Sequence, residues 1–375
     1  ICPNMSDNQK RGFLKNFSIV KAERLLLCIL LFILPLAVVP LSWDWNERPM
    51  SLCILLFTTI IAGLEIIKLI KEGKFCVIKT SVDTAVLLLC GSYVLSTIFS
   101  QDVNTSLWGI DHRLGGGLIT VMSVVALTVF SRSFITDVKH VKELFFSFMA
   151  GMFINNILSI LAFLGVNIWS SVPVYKNMFQ EGLPILRSAR IYILTNLITL
   201  LLYFGFIGEY LIFKGKKSVF MASLIIALVS IIGILMFSIV QGTGLVVLFL
   251  VLFVLMNMFI IKKFKLSEKS FKNILVVFLI ITLSISIPFA LMHIPSFRES
   301  KIPDDFRLVG QVFLGSDLSW SVASSVFVKS LSTALLGLGM DTYSIAYNMF
   351  KPVSENLLAY NNVTFYSGGN EIYTQ

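Results

Sequence analysis

The sequence predicts an all-α fold: a polytopic transmembrane helix bundle of about nine spans with a partly helical outer loop. Three observations carry this. Of 375 residues, 56% are hydrophobic and 14% charged, against about 45–50% and about 25% in soluble domains. The mean hydropathy is +0.86. The apolar residues fall into runs of about 20, the length that crosses a bilayer. The same composition excludes a disordered chain. Five cysteines in 375 residues are too sparse for a disulfide-stapled secreted domain. No CxxC pair supports a zinc or thioredoxin-type centre. The net charge of +9 does not call for nucleic acid, because lysines flanking membrane spans produce the same excess.

Residues 1–24 read as a basic cytoplasmic segment. Met5 is a natural start, so residues 1–4 read as upstream sequence. The first apolar run, 25–42, follows basic residues as in a signal peptide but lacks a small-x-small cleavage site, so it reads as a retained span. Further runs cover 50–67, 84–100, 116–134, 144–165, 192–213, 219–237, 243–261 and 273–292. The bundle is thus expected over 25–292. Ser238 to Thr243 reads as a tight re-entry turn between two spans. Pro35, Pro40 and Pro288 allow kinks, which spans tolerate when neighbours satisfy the freed carbonyls.

With the N-terminus in the cytoplasm, the inner segments hold 20 of the 30 lysines and arginines. That is the asymmetry the positive-inside rule requires. The two basic residue types divide unequally. Lysines are 17 inside and 4 outside, arginines 3 inside and 6 outside. The rule acts on both types, so the outer arginines need another reason. A guanidinium fork matches phosphate oxygens bidentately, which an ammonium cannot do. An anionic, phosphorylated, lipid-linked substrate is the functional reading. Snorkelling to headgroups or pairing with Asp111 and Glu181 is the plain one, and it is preferred for Arg48 and Arg298.

The last segment, 293–375, is an extracytoplasmic loop domain. It carries turn signals at Pro295, Pro303, Gly315, Gly337, Gly339 and Pro352. Between them Ser319 to Thr333 and Asp341 to Phe350 read as amphipathic helices too short to span. No closing helix follows, so the chain reads as a C-terminally truncated fragment with an incomplete loop domain.

The stretch SLWGIDHRLGGGLIT, Ser106 to Thr120, gathers Trp108, His112 and Arg113 beside three glycines that let backbone approach a ligand closely. It resembles a motif of the O-antigen ligase and polymerase family. RSARIYILTN, Arg187 to Asn196, is similar to that family's outer Arg followed nine residues later by Asn, with Arg190 and Leu194-Thr195 in place of its glycine and Asn-Pro. SIVQG, Ser238 to Gly242, stands where the family has Ser-Arg-Gly, with Gln241 for the arginine. Ser319 to Pro352 resembles its two outer-loop helices joined by a Leu-Gly-x-Gly turn. SGGNEIY, Ser367 to Tyr373, resembles its His-Asn-Glu segment, with Gly369 at the histidine position. The resemblance runs from about residue 80 to the end.

The resemblance implies a metal-independent glycosyltransferase without cofactor, multi-pass in a bacterial inner membrane. Its partners would be a polyprenyl-diphosphate-linked glycan, an acceptor glycan, lipid or protein, and the lipid bilayer. Arg113, Arg187 and Arg190 are the expected diphosphate-binding residues, since developing negative charge on the leaving group needs positioned cations. The acceptor hydroxyl needs a base. His112 and Glu371 are the catalytic candidates, Asp341 a further one whose plain reading is a solvated loop residue. Gln241 and Asn370 are secondary candidates. Tyr343, Tyr347, Tyr360 and Tyr366 offer sugar-stacking faces. No metal site is expected: Asp304-Asp305 is the single adjacent outer carboxylate pair and reads as a turn. The alternatives are a lipid-linked glycan flippase or other membrane transporter, or an inactive homologue. Glu65, Asp83, Glu143 and Glu209 lie near span ends rather than at span centres, which counts against a transporter.

Overall fold

The computed structural model describes residues 7–38, 47–73, 82–110, 114–163 and 316–352, with residues 192, 195–200, 202–203, 225–226, 229–231 and 233 between them. Among these the structure is helical and holds no strand. The chain divides into two compact units. One contains Ile1–Leu30, Leu41–Val141 and Gln311–Gln375; the other contains Leu31–Pro40 and Lys142–Gly310.

The elements are α1 (Asp7–Ile33), a 3₁₀ turn (Leu34–Leu36), α2 (Glu47–Glu72), α3 (Asp83–Ile98), α4 (Val103–Trp108), α5 (Leu118–Phe134), α6 (Val138–Phe163), α7 (Ser316–Lys329), α8 (Leu331–Leu336) and α9 (Tyr343–Phe350). The runs predicted at 50–67, 84–100, 116–134 and 144–165 coincide with α2, α3, α5 and α6. Two helices are long and apolar enough to cross a membrane, Arg48–Lys71 and Val138–Leu161. Asp83–Ile98 and Leu118–Phe134 are apolar but shorter. Only 22% of the most apolar stretch of the first and 39% of the second is buried, where a core helix of a water-soluble domain is buried over most of its length. Leu56, Ile70, Leu87 and Leu88 on α2 and α3 are exposed, as side chains facing lipid are. The runs predicted at 243–261 and 273–292 lie outside the described residues.

The first run differs from expectation. Its helix begins at Asp7, well before residue 25, and stops at Ile33. Lysine, arginine and glutamine are good helix formers, so the basic segment continues the helix. Pro35 lacks an N–H and crowds the preceding turn, so it closes the helix as a 3₁₀ turn rather than kinking it. In the second unit the Asn155 amide donates to the Pro35 carbonyl at 2.5 Å, supplying a partner that helix termination removed. Gly151 makes room nearby: a Cβ there would collide with the Phe32 carbonyl. This unit also holds a buried amide network. Asn156 donates to Asn196 Oδ1 at 2.7 Å and Ser230 Oγ at 3.0 Å, and Asn196 donates to the Tyr192 carbonyl at 2.9 Å. Polar bonds between apolar helices fix their mutual register.

In the first unit α2 packs along α5, and α3 packs on α4 and α5. One end is charged. Lys68 Nζ lies 3.4 Å from Glu65, 3.9 Å from the fully buried Glu23 and 3.3 Å from Ser133 Oγ. Arg132 pairs with Asp83, and Ser133 donates to Glu65. The last turns of α2 and α5 and the first residue of α3 therefore share this end, so chain direction alternates. The other end of α5 lies about 25 Å away, from 17 residues at a rise of 1.5 Å. It is glycine-rich, and there the segment 316–352 docks.

Candidate functional site

α4 begins where Asp102 accepts the Thr105 N–H at 3.1 Å and the Thr105 hydroxyl at 2.7 Å. These bonds favour the charged carboxylate and hold its pKa below the usual carboxylate value. The helix ends after six residues at Gly109, whose φ of +83° an L side chain rarely adopts. The chain returns through Leu114 and Gly115–Gly117 to the start of α5. Thr120 Oγ1 donates to the Leu114 carbonyl at 2.7 Å and pins the return. A Cβ on Gly117 would stand 2.5 Å from the Gly109 nitrogen, so the two limbs of the loop touch backbone to backbone.

The docking segment is a small helical assembly with its own core. Val322, Leu338, Tyr343, Ala346 and Tyr347 are buried, with Leu318, Val326 and Phe350 packed against them. The expected helix Ser319 to Thr333 is two helices, because Ser330 takes an extended conformation and caps α8. Its hydroxyl accepts the Thr333 N–H at 3.1 Å, and the Thr333 hydroxyl accepts the Ser330 N–H at 3.0 Å. Asp341, expected inside a helix, precedes α9 in a turn with φ +55°. The stacking role expected of Tyr343 and Tyr347 does not hold. They are 4% and 3% exposed, their rings are consumed by this core, and burial raises the Tyr343 phenol pKa.

The turn Leu336 to Asp341 seats on the loop end of α3–α5 through a hydroxyl seam. Ser96 Oγ donates to the Leu336 carbonyl at 2.7 Å, and the Gln101 N–H donates to the Leu338 carbonyl at 3.0 Å. Ser100 Oγ lies 2.7 Å from Ser106 Oγ, and Ser106 donates to the Met340 carbonyl at 3.0 Å. Gly339, at φ +122°, passes so close that a Cβ would strike both serine hydroxyls. The Asp341 carboxylate then accepts the Ile110 N–H at 2.8 Å. A Cβ on Gly116 would stand 2.6 Å from its carboxyl carbon. Asp341 is thus wedged between both limbs of the glycine loop and is not a solvated loop residue.

Two non-glycine residues have positive φ among the described residues, Leu114 at +60° and Asp341 at +55°. Both border Gly109. Such conformations cost about 1–3 kcal/mol each and persist only where the surroundings over-determine them. Their convergence on one spot marks this loop as strained.

His112 and Arg113 belong to residues 111–113, which lie outside the described residues and join Ile110 to Leu114. Arg187, Arg190, Gln241, Asn370 and Glu371 also lie outside the described residues, as do Tyr360 and Tyr366. Trp108 is half-exposed at the end of α4. Sequence reasoning missed Ser100, Asp102 and the strain at Leu114. Asp102 was detectable as an N-cap three residues before Thr105; Ser100 and Leu114 carry no local signal. Among the described residues no three His, Cys, Asp or Glu side chains gather as metal ligands. No family model, no curated protein and no solved structure matches the chain.

Proposed function

We propose that this chain is a nine-span membrane glycosyltransferase of the O-antigen ligase and polymerase type, with its N-terminus cytoplasmic in a bacterial inner membrane. It moves a glycan from a polyprenyl-diphosphate carrier to an acceptor at the outer face. The observation that carries this reading is the seating of the Leu336–Asp341 turn on the Ser106–Gly117 loop. Two stretches that resemble separate family motifs, more than 230 residues apart, meet there. The loop they build contains His112 and Arg113, a candidate base and a candidate diphosphate cation. Lys68 and Arg132 at the opposite end of α2, α3 and α5 support the orientation, since lysine and arginine are favoured on the inner side.

In this reading Arg113, Arg187 and Arg190 stabilise the charge that grows on the leaving diphosphate. His112, with Glu371 as the other candidate, accepts the acceptor hydroxyl's proton. Asp341 positions the loop. The test is transfer by the purified full-length protein from a polyprenyl-diphosphate glycan to candidate acceptors. Loss in Arg113→Ala and Arg187→Ala, with retention in Arg48→Ala, is the expected outcome. Release of polyprenyl diphosphate that ignores both substitutions would remove these arginines from the mechanism. Donor trapped on the inner face of a deletion strain would indicate flipping in place of transfer.

A further inference from the structure

α7 and α8 have a second face that the core of their assembly does not use. While Ser319 and Val322 are fully buried, Trp320 is 59% exposed, Phe327 65%, Val328 83%, Leu331 78% and Leu335 75%. On α7 the spacing of seven and eight residues, and on α8 the spacing of four, places each set on one side of its helix. Five large apolar side chains on two consecutive short helices are not the scattered exposure of an ordinary wet surface. Neither helix can cross a bilayer: α7 has 14 residues and α8 six.

What covers this face is indicated by its neighbour. α8 is tied to the C-terminal end of α3 by the bond from Ser96 Oγ to the Leu336 carbonyl, and at that end Leu95, Ile98 and Phe99 are exposed too. The apolar surface of α8 thus adjoins that of an apolar helix beside α5 in the unit that contains α2. Two lysines end helices of the same assembly. Lys329 ends α7 with its ammonium 5.8 Å from the Phe350 ring, and Lys351 follows α9 with its ammonium 5.7 Å from the Tyr347 ring. An apolar face that includes tryptophan, with lysines nearby, is the usual make-up of an element at a membrane–water boundary.

The geometry points to the lipid bilayer as the occupant. The α7–α8 pair lies flat in the interface that the C-terminal end of α3 reaches, with Trp320, Phe327, Val328, Leu331 and Leu335 among the acyl chains. It seals the Leu336–Asp341 turn against the membrane surface, so the glycine loop opens at headgroup depth. This rests on the membrane reading of the helices and not on the transfer chemistry.

The 375 residues contain five tryptophans. A variant keeping Trp320 alone, the others replaced by phenylalanine, is reconstituted into phosphatidylcholine–phosphatidylglycerol vesicles. The lipids are brominated either near the headgroup or near the chain end. Trp320 is expected to be quenched more by the shallow bromines, at a depth of about 5–10 Å, and shielded from aqueous iodide. A tryptophan-free chain with Leu56→Trp on α2 is the control, quenched by bromolipid. If Leu56→Trp is not quenched, the membrane reading itself fails. If it is quenched while Trp320 responds to iodide alone, the interfacial placement is overturned. Shielding of Trp320 from both quenchers means that protein, a second copy or a partner, covers the face, and also overturns it. Should the tryptophan variants misfold, Leu331→Cys with a spin label, in a chain whose five native cysteines are serine, gives the same answer. Oxygen accessibility above that of a water-soluble nickel complex supports immersion, and the reverse refutes it.

Discussion

Replacing Gly339 with alanine tests whether the turn is seated by the hydroxyl seam. At φ +122° an L residue is strained, a cost of about 1–3 kcal/mol. The added methyl also meets Ser100 Oγ and Ser106 Oγ. To clear it, the serines must give up their 2.7 Å mutual bond and the 3.0 Å bond from Ser106 to the Met340 carbonyl, each contributing about 1 kcal/mol net. The combined loss is about 3–5 kcal/mol. With tenfold per 1.36 kcal/mol, opening of the seam becomes about a hundred- to a few-thousand-fold more frequent. Hydrogen exchange read by mass spectrometry in detergent reports this at the Gln101 and Ile110 amides, whose acceptors lie on the docked turn. Two other glycines calibrate the effect. Gly337 has φ +71° and only one atom near a new Cβ, at 4.0 Å, so Gly337→Ala carries strain alone, about 1–2 kcal/mol. Gly91 lies in α3 with open space around it, and alanine there favours the helix by about 0.5–1 kcal/mol. The expected order of acceleration is Gly339 well above Gly337, with none at Gly91. Equal exchange in Gly339→Ala and the parent protein, both folded, would refute the seating.

Asp341→Ala strips the Ile110 N–H of its acceptor, a loss of about 1–3 kcal/mol. Asp341→Asn keeps an acceptor oxygen and tolerates positive φ. Protease cleavage near Leu114 is expected to rise with alanine and stay near the parent level with asparagine. Asp102→Ala removes the α4 cap at a cost of about 0.5–2 kcal/mol. The folded pKa of Asp102 is lowered, so its contribution is full above the unfolded value of about 3.9 and lost as pH falls through the folded value. Protection across α4, corrected for the intrinsic exchange rate, should therefore fall below about pH 3.9 in the parent but show no such contribution in Asp102→Asn. Arg132→Ala breaks a half-buried pair with Asp83. It should lower the thermal midpoint in detergent, and the swapped pair Arg132→Asp with Asp83→Arg should restore part of it. Asn155→Ala frees the Pro35 carbonyl and should cost about 1 kcal/mol; an unchanged midpoint would show that this bond is replaced without loss.

The helices were legible because their signals are local. Apolar runs mark α2, α3, α5 and α6, whereas Pro35, read as a kink, ends α1 instead. Less legible were the breaks that depend on one polar residue. Ser330 divides α7 from α8 because its hydroxyl serves Thr333, a signature only three residues long inside an otherwise continuous amphipathic pattern. Asp341 follows the same logic. Its side chain is engaged by Ile110 rather than by its own helix, so a periodicity that admits it to α9 is overridden.

The sequence by itself determined the element type and pointed to a membrane as solvent. Its composition is more apolar than that of soluble domains, and its runs satisfy their backbone internally as helices. It also marked Gly115–Gly117 as places where backbone is free to come close, and Gly337 and Gly339 as turns. Only the tertiary structure decided what comes close to what. Gly339 lacks a Cβ for the sake of Ser100 and Ser106, and Gly116 for the sake of Asp341, partners more than 220 positions distant. A glycine's freedom is a property of one residue, whereas the contact it permits depends on the packing of two segments brought together by the helices between them.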